Sequence, residues 1–232
     1  MIKIKDLIKV KYRHQDLVRL GNSGDGGYIA SRIGLEVSER LYTYGVGGNW
    51  WFEKDYAKMY PNKVVDMFDH TVDVKNTGAV NVIFHKSPLS PTENSTTFDE
   101  LRCLKTKSLL KLDVEGAEYP FFEKADLATY DNVVSIICEF HYLNNPKILV
   151  KFKEIMLRLQ KYYDIIHVHG NNFAKLIVEE DFIFPQTPEI TFLHKNLSCA
   201  DNSYSTVDYP LAGLDFPNCG SREDLKFTVF KD

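Results

Sequence analysis

Three carboxylates crowd one short stretch of this 232-residue chain. In LLKLDVEGAEYP, Leu109 to Pro120, residues Asp113, Glu115 and Glu118 follow an apolar run that reads as a strand. The C-terminal ends of strands are where open α/β sheets bind ligands. Glu118 reads as charge favouring the start of the next helix, whereas Asp113 comes too early for that and reads as a site residue. A second stretch, ICEFHYLNN, Ile137 to Asn145, sets Glu139 and His141 at the end of another strand. Alternation of period two sends both to one face. An imidazole whose ordinary pKa lies near neutrality suits a general base, which makes His141 the first choice, with Glu139 orienting it or binding the acceptor. Asp113, Glu139 and His141 are also hard ligands for Mg²⁺ or Mn²⁺, which would acidify an alcohol. A surface histidine beside a capping glutamate is the bland alternative.

Further upstream, Tyr44 runs into a glycine turn, Gly45-Val46-Gly47-Gly48, and Asp69 follows Gly47 by 22 residues. A glycine turn lets backbone approach a ligand, and an acidic residue about 20 positions later can accept hydrogen bonds from ribose hydroxyls. A dinucleotide-binding turn would place a third glycine where Trp50 stands, so the turn suits a nucleoside ligand without a pyrophosphate. Two other strings carry recognition chemistry. His169-Gly170-Asn171-Asn172 suits a hydroxyl-rich acceptor, or is an Asn-rich turn. Asp25-Gly26-Gly27-Tyr28 is either a hairpin turn or a lid, with Tyr28 a cover or a core residue.

These residues need a parallel sheet to bring them together, and the chain alternates short β-rich runs with helical patterns. Strands are expected at Arg40–Tyr44, Lys63–Phe68, Val80–Phe84, Ser108–Leu112 and Val133–Phe140, the fourth apolar apart from Lys111 as a buried central strand should be. Asp164–Val168 and Glu189–His194 are expected as an antiparallel pair. Helices are expected from Trp50 to Met59 with Asn49 as N-cap, from Thr97 through Leu104, and from Asn145-Pro146 along the stripe Ile148, Leu149, Phe152, Ile155, Met156 and Leu159. Ile2 to Leu20 reads as an amphipathic helix capping the domain. The whole reads as one domain: a cap and hairpin over 1–39, a core over 40–196, and a loop-rich extension over 197–232.

The string around Asp113 resembles the K-[IL]-D-[VI]-E-G-A-E signature of FkbM-like, S-adenosylmethionine-dependent methyltransferases. RLGNSGDGGYI (Arg19 to Ile29), YTYGVGGNWWFE (Tyr42 to Glu53), MFDHT (Met67 to Thr71) and VHGNN (Val168 to Asn172) look like a related branch in the same order. The resemblance implies a Rossmann-like class I methyltransferase fold, α/β, with a mostly parallel central sheet flanked by helices and an antiparallel strand near the C-terminal end. It implies Tyr44, Gly45, Val46, Gly47 and Asp69 at the cofactor, His70 and Thr71 at its ribose or adenine, and Ser87, Pro88 and Leu89 at adenine. Asp25, Tyr28, Glu115, His169, Asn171 and Asn172 would then meet the acceptor. Asn49-Trp50-Trp51 is bulkier and less acidic than this turn usually is.

Composition narrows the partners. The net charge of −4 argues against a nucleic-acid binder, which usually carries positive charge. The N-terminus lacks the pattern of a signal peptide, and no apolar run approaches the roughly 20 residues of a membrane helix. A cytoplasmic protein with reduced cysteines is expected. The acceptor is expected to be a small polar molecule, a sugar or sugar-nucleotide-linked hydroxyl of surface polysaccharide biosynthesis, or a phosphoryl or phosphoramidate oxygen on such a precursor. A non-catalytic binding module on the same fold and a dehydrogenase are the rival classes.

Overall fold

Seven strands join into one sheet in the computed structural model, which describes residues 2–11, 16–89, 104–180, 182–197 and 203–228. In chain order the strands are β1 (Leu17–Leu20), β2 (Tyr28–Ser31), β3 (Arg40–Tyr44), β4 (Val64–Phe68), β5 (Val82–His85), β6 (Ser108–Leu112), β7 (Val133–Glu139), β8 (Tyr163–Gly170), β9 (Leu176–Glu179), β10 (Phe182–Pro185), β11 (Pro188–His194), β12 (Asp208–Tyr209) and β13 (Phe227–Thr228). The large sheet runs β5-β4-β3-β6-β7-β11-β8. Its first five strands are parallel, and β11 is antiparallel to both neighbours. This mostly parallel order with one reversed strand near the C-terminal end is the Rossmann-like sheet expected from the resemblance. Central β6 and β7 are buried throughout, which is why they read as nearly unbroken apolar runs.

Alternation sorts the two faces. Tyr42, Tyr44, Leu110, Leu112, Ile136 and Cys138 point to one core, beneath α4 (Glu118–Lys124) and α5 (Pro146–Leu159). Leu41, Leu109 and Ile137 point to the other, beneath the β1–β2 hairpin, α2 (Arg32–Val37) and α3 (Trp51–Met59). Thr43, Lys111 and Glu139 share that second face, so the polar residues of the central strands are roofed by the hairpin and α3. Helix α5 starts where the sequence places it: Asn145 accepts from the Lys147 amide at 3.0 Å, Pro146 follows, and Phe152, Ile155, Met156 and Leu159 are buried. Each such side chain contributes about 1.5–3 kcal/mol.

Several expectations change. Asn49 does not cap α3; Trp50 occupies the N-cap position, its carbonyl accepting the Lys54 amide and its indole packed into the core. The segment Ile2–Leu20 is not a single helix. Among the described residues there α1 (Ile4–Leu7) is the α-helix, and Leu17–Leu20 is strand; beyond α1, Ile8 and Val10 are both buried at period two, and Val10 bridges the open edge of the sheet beside Ile165. Val80 is fully exposed in the loop before β5. An antiparallel hairpin, β9–β10, fills the connection between the paired strands β8 and β11. The helix expected from Thr97 lies largely outside the described residues, as do Cys103 and Cys199; Cys138 and Cys219 are free thiols. Among the described residues no helix is long and apolar enough to cross a membrane.

Candidate functional site

At the C-terminal ends of β3, β4 and β6 a cavity of about 390 Å³ opens. One end is built by the glycine turn. Gly45 has φ +77°, and a Cβ there would lie 1.6 Å from the Asp113 carbonyl oxygen. Its glycine is required by the close approach of the chain leaving β6, not by a ligand. Gly47 has φ +52° and an added Cβ would meet nothing within 4 Å, so its open side faces the cavity. Val46, Gly48, Asn49, Asp69, His70, Thr71, Pro88 and Leu89 also line the cavity, with Phe68. Tyr44 and Ser87 do not. Tyr44 is buried behind the wall, stacked on Phe68 at 4.5 Å, and Phe68 stacks on His85 at 4.4 Å. The Ser87 amide turns back to the His85 carbonyl, leaving Pro88 to face inward.

Asp69 differs from a carboxylate waiting for ribose. Its Oδ2 accepts the amides of Val46 (3.0 Å) and Gly47 (2.9 Å), and its Oδ1 accepts the Thr71 amide (2.6 Å) and hydroxyl (2.7 Å). Burial opposes its ionisation, but these bonds outweigh burial and hold the carboxyl below its ordinary range. A carboxylate offers about four lone-pair positions, so protein donors already fill them. Asp69 therefore shapes the glycine turn, and a ribose hydroxyl has to displace one of its donors.

The other end of the cavity is lined by Asp25, Gly26, Tyr28, Lys111, Asp113 and Glu115. The Tyr28 hydroxyl donates to Asp113 Oδ2 at 2.7 Å. The buried Lys111 ammonium lies 4.5 Å from the centre of the Tyr28 ring and 3.4 Å from Glu53 Oε1, which in turn accepts from the Thr43 hydroxyl at 2.7 Å. Glu115 holds a left-handed φ of +51°, as does Tyr142 at +62°, and the Tyr142 hydroxyl donates to Glu115 at 3.3 Å. Left-handed conformations outside glycine store strain, and such strain gathers at functional sites.

Glu139 and His141 stand directly behind Asp113 and do not line the cavity. His141 Nε2 lies 3.4 Å from Glu139, 3.6 Å from Glu115 and 3.8 Å from Asp113. Its Nδ1 faces Glu118 Oε1 at 3.2 Å, and the same oxygen accepts the His141 amide at 2.8 Å. Burial alone would push the imidazole pKa down; the bonds to Glu118 and Glu139 overcome it and push it up to about 11. Burial and the Asp113 charge raise the Glu139 carboxyl. An imidazole that keeps its proton at neutral pH has no lone pair to receive another, so the expected role of His141 as base does not follow from this geometry. Glu118 is not a solvated helix-start charge either; it is fully buried and also accepts the Gly116 amide at 2.8 Å.

The His169-Gly170-Asn171-Asn172 string divides. Asn171 Nδ2 donates to Glu139 Oε1 at 3.0 Å and so touches the site. His169 lies between Glu189 (3.1 Å) and Asp224 (3.2 Å), while Asn172 binds the backbone of Cys219, Arg222 and Glu223. Those two residues do not line the cavity, and they pin the C-terminal segment to the sheet. The register explains the cluster: Glu139 is paired with Glu189, and Glu189 with His169, so one row of polar side chains crosses three strands. Lys111, Glu53 and Glu189 are site residues that the motifs did not name, and Glu118 is one whose sequence pattern indicated only a helix-start charge. Lys111, a lone charge in an apolar strand, carried a signal; Glu53 and Glu189, which pair across elements distant in sequence, did not.

The model of the methyltransferase FkbM domain family matches residues 60–166, a span that holds Asp69, Asp113 and His141. No curated protein matches the chain. Among solved structures the chain is similar to one in a fibrillarin/Nop5p complex, with 10% identity over 77% of this chain and 96% of that one and a TM-score of 0.41. It is similar to precorrin-6y C5,15-methyltransferase from Geobacter metallireducens GS-15, with 11% identity over 71% and 87% and a TM-score of 0.40. A third likeness is ribosomal protein L11 methylase from Lactobacillus delbrueckii subsp. bulgaricus, with 12% identity over 71% and 76% and a TM-score of 0.36.

Proposed function

We propose that this chain, whose residues 60–166 match the methyltransferase FkbM domain model, transfers a methyl group from S-adenosylmethionine to a hydroxyl oxygen of a small polar acceptor, a sugar or sugar-linked group. The observation that carries this reading is one continuous cavity with the glycine turn and Asp69 at one end and Asp113 and Glu115 at the other. The cofactor supplies an electrophilic methyl on a sulfonium. The protein has to hold the acceptor in line with it and receive the acceptor's proton. Gly47, Gly48 and Asn49 leave room beside the turn, and Phe68, Pro88 and Leu89 offer an apolar wall for a base.

At the acceptor end Asp113 takes the part first given to His141. It lines the cavity, it is partly exposed there, and the Tyr28 hydroxyl fixes its orientation. His141 and Glu139 position it from behind. Carboxylates at this end accept hydrogen bonds from neutral hydroxyls and repel an acceptor that is itself anionic. This favours a sugar hydroxyl over a phosphoryl oxygen. Isothermal titration with S-adenosylhomocysteine, followed by transfer of labelled methyl groups to a panel of sugars and sugar nucleotides, tests the reading. Product NMR assigns the methylated atom. Absence of S-adenosylhomocysteine binding would remove its foundation.

A further inference from the structure

Two carboxylates and an imidazole converge behind the acceptor end of the cavity. Asp113, Glu139 and His141 each offer one ligand atom, and these atoms lie within 4.8 Å of one another. Ligands bonded at about 2.1 Å to one ion stand roughly 3–4 Å apart, and His141 Nε2 is 3.4 Å from Glu139 and 3.8 Å from Asp113. Each of the three is also held from outside the convergence. Glu118 fixes the far nitrogen of His141, Tyr28 fixes the far oxygen of Asp113, and Asn171 donates to Glu139. A histidine whose second nitrogen is fixed by a carboxylate is the usual outer support of a metal-bound imidazole. The set also has a charge to settle. Asp113, Glu139 and Glu115 surround one ring nitrogen, whose proton is the positive charge among them when no ion is present, and a divalent cation would displace that proton and take its place.

We propose that Asp113, Glu139 and His141 form a divalent-cation site whose open positions face the acceptor end of the cavity. Two carboxylate oxygens with one imidazole nitrogen suit Mn²⁺, with Mg²⁺ a harder and weaker match. Asp113 is the link to the cavity, because it alone of the three lines it. The proposal deepens the methyl-transfer reading, on which it rests for what the ion would do: hold the acceptor oxygen and stabilise the negative charge that oxygen gains as its proton passes to Asp113.

The test uses the full chain and Mn²⁺ alone. Titration followed by the EPR signal of free Mn²⁺ should show about one ion bound per chain, and pulsed EPR should show nitrogen coupling from one imidazole. Glu139→Gln and Asp113→Asn should each weaken binding at least tenfold, and Glu118→Gln, outside the ligand set, by about 10–100-fold. No uptake of Mn²⁺, binding without nitrogen coupling, or binding unchanged in Glu139→Gln would overturn the site. The nitrogen coupling is read on the unaltered protein, so a variant that misfolds does not blunt the test. S-adenosylhomocysteine titration on the same samples separates the two ideas. Ligand binding without Mn²⁺ binding sinks the metal site and leaves the methyltransferase reading standing; Mn²⁺ binding alone does the reverse.

Discussion

Gly45 and Gly47, two positions apart in one turn, show how differently the same residue type can be constrained. Gly45→Ala should drive a methyl group into the Asp113 carbonyl. The expected loss exceeds about 3 kcal/mol, roughly 6–12 °C in Tm for a chain of this size. Gly47→Ala meets no atom, so only the left-handed φ is costly, about 1–2 kcal/mol. Its methyl projects beside the cavity, and S-adenosylhomocysteine affinity should fall at least tenfold on the reading above; affinity equal to the parent's would place the ligand elsewhere. Asp69 gives a second pair. Asp69→Ala should weaken S-adenosylhomocysteine binding by about 1–3 kcal/mol and lower Tm as well, because the Val46 and Gly47 amides lose their acceptor. If ribose displaces the Thr71 hydroxyl, Thr71→Val should bind as tightly as the parent or more tightly. A loss as large as that of Asp69→Ala would show that the hydroxyl itself holds the ligand.

At the scale of elements, the end of β8 and the C-terminal segment behave as one unit. His169 is buried between Glu189 and Asp224. Burial alone would lower its pKa, but the bonds to Asp224 and Glu189 prevail and push it up to about 10. A histidine raised in the folded state stabilises fully below its unfolded pKa of about 6.5 and loses that contribution as pH climbs through the folded value. Thermal melts from pH 6 to pH 10 should therefore fall more steeply for the parent than for His169→Gln. Parallel slopes would mean the imidazole is not charged in its pocket. Asn172→Ala removes the side chain that grips the backbone at Cys219, Arg222 and Glu223. Hydrogen exchange should speed up in that segment while β6 and β7 stay protected.

Across the whole molecule, one buried ion pair ties the sheet to its roof. Lys111 on β6 faces Glu53 on α3, both almost fully buried, with the Tyr28 ring of the hairpin over the ammonium. Breaking such a pair from one side leaves an uncompensated charge and costs about 3–5 kcal/mol, whereas replacing both partners by apolar groups can be nearly neutral. Lys111→Met should thus lower Tm by roughly 6–20 °C, and Lys111→Met with Glu53→Leu should recover much of it. A double variant no better than the single would show that the pair's role lies in its bonds to Thr43 and Tyr28 rather than in its charge balance.

What could be read from the sequence is what depends on neighbours along the chain. Period-two alternation, the Asn145-Pro146 cap and the apolar stripe of α5 are local, and the strands of the central sheet, apart from the start of β5, and the antiparallel pairing of β8 with β11 appear where those signals place them. The glycine turn and Asp69 also fall on one cavity, because the ends of parallel strands in register must lie together. Tertiary structure alone decided the ionisation of His141 and the partners of Glu118, Glu53 and Glu189. A pKa depends on every charge within a few ångströms, and those charges arrive from α3, α4 and β11. It also decided that His169 and Asn172 hold the C-terminal segment. A motif records which donors and acceptors a segment can offer, but whether the chain's own backbone or a ligand takes them is settled only when distant segments pack.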